Sequence, residues 1–191
     1  GVTWPRGMSY AEFIRTVDPE TPSGAAVLVA ATRTLRGAGY VPFNGTEPAD
    51  PNHAAIAAPY THVTAPLRRL IDRYTGEICV AICAGDPIPE WVLSKLEELP
   101  ALMTESAHRA ANYSRAVFDL VEAALLSQHL GGTFPGVVVS ISDRDPDTGS
   151  LMVPKPSVEA RVTGKPPLPL GRSVSAKLVE ANVETRKVSF Q

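Results

Sequence analysis

The sequence predicts an α+β protein, helical over residues 1–130 and all-β over 131–191. Three observations predict it. Apolar residues recur at helical spacing in capped runs before Gly131-Gly132, they alternate with polar residues after it, and Pro or Gly turns then punctuate the chain about every eight to twelve residues. At 191 residues the chain is long enough to bury a real core, and its 44% apolar content excludes general disorder.

Taken in order, Ser9 and Glu12 form a capping-box signature, and Tyr10, Phe13, Ile14 and Val17 continue a short helix that Pro19 stops. Pro22 and Ser23 open a second helix, rich in small residues, for which Gly37 is a left-handed cap. Pro42, Pro48, Pro51 and Pro59 make 38–59 an irregular loop. Thr64 is suited to cap a helix from about 65 to Ala84, with Pro66 in its first turn and Gly85 as its stop. That helix carries Arg68 and Arg69 in its first turn. A short helix over about 88–99 is broken by Pro100, and the longest helix follows over about 101–130. It offers an Ala/Ser stripe (Ala107, Ala110, Ala111, Ser114) and then Val117, Phe118, Val121 and Leu125 for burial. Strands are expected near 134–142, 149–153, 157–162, 172–181 and 184–190, the count of a small five-stranded OB-type barrel.

The net charge of -2 excludes a uniformly basic nucleic-acid binder and makes any polyanion site local. Residues 1–130 carry 10 basic and 14 acidic side chains while 131–191 carry 8 and 6, so the barrel is the half more tolerant of phosphate. No apolar run approaches the roughly 18 residues of a membrane span and no basic-then-apolar leader opens the chain. The expectation is a soluble, cytoplasmic protein with no membrane partner. The chain opens on Gly1 rather than Met, and part of its function is expected to be encoded upstream.

The most unusual segment runs from Tyr60 to Arg73. On the predicted helix, Arg68 and Arg69 would add two guanidinium forks to the free N–H groups and positive dipole end of its N-terminus, an arrangement suited to phosphate oxygens. The alternative, on the residues alone, is that they pair with Asp72 and surface acids. Cys79 and Cys83 stand at i, i+4 without a second ligand pair, so they are expected to be buried small apolar residues rather than metal ligands. Asp143, Asp145 and Asp147 imitate the start of a calcium loop, yet Thr148 and Pro154 occupy its Gly and Glu positions, and a solvated hairpin turn is expected. His53 and His62 flank the arginine loop as candidate general acids or bases, but neither has a nucleophile or carboxylate partner at readable spacing, and a structural role is expected of each. In the barrel the only aromatic residues are Phe134 and Phe190, so its basic side chains suit tracking of a phosphate backbone better than stacking on bases.

Tyr60–Asp72 resembles the signature of the RNase II / RNase R (RNB) family of exoribonucleases, Y-x-H-F-T-S-P-I-R-R-Y-x-D, matching at Tyr60, His62, Thr64, Pro66, Arg68, Arg69 and Asp72. The resemblance implies the mainly helical C-terminal portion of an RNB catalytic domain over 1–130 and an S1-like OB-fold RNA-binding domain over 131–191. It implies a part of a magnesium-dependent, 3′-to-5′ hydrolytic exoribonuclease acting on single-stranded RNA. Arg68 would be the catalytic residue at the phosphate near the scissile bond. Tyr60, His62, Thr64, Arg69, Arg73, Lys155, Arg161 and Lys177 would bind RNA, and Asp72 and Pro66 would be structural. The chain departs from the family at Val63, Ala65, Leu70 and Gly76-Glu77. The family holds Mg2+ with a G-x-x-D-x-D-D-A cluster, and nothing in the chain matches it. Residues upstream would then hold the metal, the missing N-terminal part of the same protein would be a partner, and this chain alone would be inactive. The alternatives are a catalytically inactive RNA-binding relic of the family and a module unrelated to RNA.

Overall fold

A computed structural model describes residues 2–32 and 39–191. They form two compact units: the described residues up to 32 with Ser114–Gln191, and those from 39 to Tyr113. No helix among the described residues is long and apolar enough to cross a membrane.

In the first unit, α1 (Tyr10–Thr16) starts at the expected capping box, with Glu12 and Ser9 satisfying each other's backbone N–H groups. The two hydrogen bonds from Ser9 hold the Glu12 carboxyl below the usual range. Helix α2 (Pro22–Ala31) is capped by the Thr21 hydroxyl, with Pro22 at its first position; the proposed cap Gly37 lies outside the described residues.

The barrel consists of β3 (Thr133–Ile141), β4 (Thr148–Val153), β5 (Val158–Thr163), β6 (Ser173–Asn182) and β7 (Lys187–Phe190), closed in the order β3-β4-β5-β7-β6. Neighbours are antiparallel except β5 and β7, which run parallel where the barrel closes. Alternation is plain on β5, where Val158, Ala160 and Val162 point inward and Glu159 and Arg161 outward. Leu151, Val153, Leu178 and Phe190 are wholly buried in a core joined by Leu126 from the preceding helix. Closure leaves no strand edge free. The aspartate-rich turn is a hairpin turn as expected: Asp145 accepts from the Thr148 hydroxyl at 2.7 Å and from the Asp147 N–H at 3.3 Å.

In the second unit, 38–59 is not wholly irregular, because β1 (Asn52–His53) pairs with β2 (Ala58–Pro59). Helix α3 spans Leu70–Ala84 and ends at Gly85, whose φ of 74° is the left-handed cap expected of it. Its start differs from expectation: Thr64 caps nothing and Pro66, Arg68 and Arg69 precede the helix. The expected 88–99 helix is divided into α4 (Glu90–Leu93) and a 3-10 turn (Leu96–Glu98). Pro100 does not separate two helices, since α5 runs Leu99–Leu126 and holds it in the first turn, where its missing N–H leaves no bond unmade.

Two burial expectations fail. Ala107, Ala110, Ala111 and Ser114 are exposed, as are Val117, Phe118, Val121 and Leu125; in this part of α5 Ala123 and Leu126 are the buried positions. Helical spacing identifies an apolar face, and it does not say whether a neighbour covers that face. Cys79 and Cys83 are likewise free and exposed.

Candidate functional site

The loop that precedes α3 is organised by one carboxylate. Asp72, in the first turn of α3, is buried, and its Oδ2 accepts from the Ala65 N–H at 2.6 Å and from Arg69 Nη2 at 2.9 Å. Arg69 Nη2 also reaches Thr64 Oγ1 at 3.4 Å. Ala65 accepts from the N–H groups of Arg68 and Arg69, closing one turn. Arg69 then swings to φ -126°, ψ 113°, so this turn cannot run on into α3, and its guanidinium folds toward Asp72. This reach of seven residues, from Asp72 back to Ala65, delays the helix to Leu70.

Burial works against the Asp72 charge, but the Ala65 N–H and the Arg69 guanidinium outweigh it and hold the carboxyl below its usual range. A negative group at a helix N-terminus also suits the dipole. Arg69 Nε and Asp72 Oδ1 are buried without a hydrogen-bond partner, so the pair retains polar capacity that the loop does not use.

The two arginines therefore differ. Arg69 is only 18% exposed and locked in its ion pair. Arg68 is exposed on the projecting turn beside fully exposed Leu67, and it has no ion-pair partner among the described residues. Arg73, one residue past Asp72, is also exposed. Pro66 lies within the turn that Ala65 closes.

Upstream, the extended segment after β2 puts Tyr60 and His62 on one side, with Tyr60 Oη and His62 Nδ1 at 3.4 Å. Thr61 faces the other way and meets the Thr75 hydroxyl of α3 at 3.5 Å. Rings gather around this segment: Tyr40 on His62, His62 on Tyr60 and Tyr60 on His53, with centroids 5.9, 5.2 and 5.5 Å apart. Burial raises the Tyr40 phenol above its usual range, with Arg69 opposing and Asp72 and Tyr60 adding to the rise. Tyr40 is not among the residues the sequence points to, and His53 is expected from it only in a structural role. Their signal was hidden because only the β1–β2 pairing carries His53 to Tyr60.

The barrel cations are spread out. Lys155 is exposed in the β4–β5 turn, Lys177 lies on β6 opposite Thr133, and Arg161 projects from β5 with Nη2 at 3.3 Å from Thr148 Oγ1. A shallow groove of about 330 Å³ brings Arg161 together with Arg186 and Lys187, and also with Asp119, Glu122, Glu159 and Glu180. Burial raises the Glu122 carboxyl above its usual range, and the charges of Asp119 and Glu159 add to this against one backbone hydrogen bond. Arg161 thus sits among acids as well as cations.

The order β3-β4-β5-β7-β6, with parallel closure between the third and fifth strands, is the OB arrangement. Residues 132–191 match the RNase II-type exonuclease C-terminal S1 domain. The resemblance to the C-terminal region of RNase II / RNase R enzymes is met by this match and by the fold of nearly the whole chain. The apo form of Mycoplasma genitalium RNase R superposes with a TM-score of 0.71 at 19% identity, over 94% of this chain and 31% of that one. The same enzyme in complex with ribose methylated single-stranded RNA gives 0.72 at 19% identity, over 95% and 31%. Its complex with double-stranded RNA gives 0.67 at 20% identity, over 95% and 30%. The chain spans about a third of the length of these structures. No curated protein sequence matches it.

Among the described residues no three or more His, Cys, Asp or Glu side chains gather where they could hold a metal ion. These residues therefore offer no ligand set that fits a magnesium ion.

Proposed function

We propose that this chain is the RNA-handling C-terminal part of a 3′-to-5′ hydrolytic exoribonuclease of the RNase II / RNase R type, and that Arg68 contacts a phosphate of single-stranded RNA. The observation that carries this reading is the contrast between the arginines: Arg69 is consumed by Asp72, and Arg68 is left exposed and unpaired on a turn fixed by that ion pair. A guanidinium on a preformed turn meets a phosphate without first breaking an internal bond. Supporting it are the S1-type barrel and the RNA named with the RNase R structures that share the fold. Arg69, Thr64 and Asp72 hold the turn, while Lys155, Arg161 and Lys177 give separate, weaker electrostatic contacts. Hydrolysis requires metal-binding carboxylates supplied by an N-terminal part of the complete protein, so the 191-residue chain alone binds RNA without cleaving it.

The test is titration of the purified chain with a single-stranded oligoribonucleotide at several salt concentrations. Arg68→Ala is expected to weaken binding and lower the salt slope by about 1, as one lost phosphate contact should. Unchanged affinity would remove Arg68 from the interface. Magnesium-dependent cleavage by the purified chain would overturn the assignment of hydrolysis to a larger assembly.

A further inference from the structure

We infer that the ring cluster of Tyr40, His53, Tyr60 and His62 is a stacking platform for one nucleobase of the strand whose phosphate Arg68 contacts. The inference rests on the RNA reading above and adds a second kind of contact to it. A nucleotide presents a charged phosphate and a neutral π-face, and the two need different partners. The barrel offers less: Phe190 is wholly buried, and Phe134, partly buried, packs against it at 5.8 Å. The loop before α3 has rings and a guanidinium within one short stretch of chain.

The cluster is built in advance of any ligand. Tyr60 is held edge-on by His53 and His62, at interplanar angles of 73° and 87°, and it is still 47% exposed. The β1–β2 pair fixes His53, whose Nδ1 accepts the Ala55 N–H at 3.3 Å, which leaves the ring proton on Nε2 in the neutral form. Thr61 ties the same segment to α3 through Thr75. Tyr60 and His62 precede, by a few residues of the same extended segment, the Ala65 turn that carries Arg68. Rings fixed in this way lose little freedom when a base stacks on one, and base–aromatic stacking is worth about 1–3 kcal/mol.

The experiment compares two probes of equal length on the 191-residue chain: a single-stranded oligoribonucleotide and an abasic ribose-phosphate oligomer. Tyr60→Ala is expected to weaken the first about tenfold, to leave the second unchanged and to keep the salt slope. His53→Ala is expected to act in the same direction by a smaller factor, while Tyr60→Phe retains stacking. Arg68→Ala weakens both probes alike and lowers the slope. An oligomer carrying one 2-aminopurine is expected to lose fluorescence on binding the parent chain and not on binding Tyr60→Ala. Equal losses for both probes in Tyr60→Ala and His53→Ala, or no loss in either, would reduce the cluster to loop packing. If Arg68→Ala matters and the ring variants do not, the platform alone fails. If no probe binds the parent chain, the RNA reading fails with it.

Discussion

In the barrel, Leu151, Val153, Leu178 and Phe190 are wholly buried and each strand is bonded on both sides; in the stretch from Tyr60 to Asp72, the one fully buried polar side chain in the molecule's described part organises the fold. The first region is held by area removed from water, which is non-directional and spread over many residues. The second is held by a few directional bonds converging on Asp72 Oδ2. The barrel should therefore tolerate exchange of its outward residues and resist acid, while the loop should depend on one protonation state.

The largest effect that would test this contrast is Phe190→Ala. Removing a ring that is wholly buried where β7 closes the barrel is expected to cost about 3–5 kcal/mol, read from the urea midpoint of the unit's unfolding. A loss below about 1 kcal/mol would mean that the barrel core is not the source of its stability.

Asp72 supplies the corresponding test of the loop. Its carboxyl titrates below the usual range when folded, so its contribution is fully present above the unfolded carboxylate value and is lost as pH falls through the folded one. Amide exchange at Ala65 and at the start of α3 should accelerate across that acid window, with barrel amides unaffected. Asp72→Asn should remove this pH dependence, weaken the turn at neutral pH and, by loosening Arg68, reduce RNA affinity. An acid transition that begins in the barrel would break the comparison.

The same physics explains which parts were legible in the sequence. Strands expected near 134–142, 149–153 and 157–162 are Thr133–Ile141, Thr148–Val153 and Val158–Thr163 because alternation and turn residues are local signals of burial. The start of α3 was misread because Thr64 and Pro66 are good local signals that a contact from Asp72, seven residues on, overrides. Arg68 was legible as a candidate through its motif, but the division of labour with Arg69 depends on which guanidinium Asp72 captures. The ring platform was not legible, since His53 and Tyr60 meet only through a two-residue strand pair. Periodicity also overstated the burial of α5 at Val117, Phe118 and Val121, where it marks a face without a cover.

The smallest effects sharpen the comparison because one substitution should change sign between the regions. Gly149 lies on β4 opposite Ile141, beside the register shift between Val138 and Ser140. A Cβ there would run into the Ser140 carbonyl and meet a Leu168 methyl at 3.1 Å. Gly149→Ala should accordingly cost about 1–3 kcal/mol, since a closed barrel has no edge toward which backbone can move. Gly76, in the middle of α3, has nothing within 4 Å of the position a Cβ would take. There the added methyl only narrows the freedom of the unfolded chain and improves helix propensity, so Gly76→Ala should stabilise by about 0.5–1 kcal/mol. Thermal or urea unfolding of both variants reads the signs directly. A gain at Gly149 would mean that the barrel wall yields more than its closure allows, and a loss at Gly76 would mean that α3 is packed more tightly there than its exposed neighbours Cys79 and Val80 indicate.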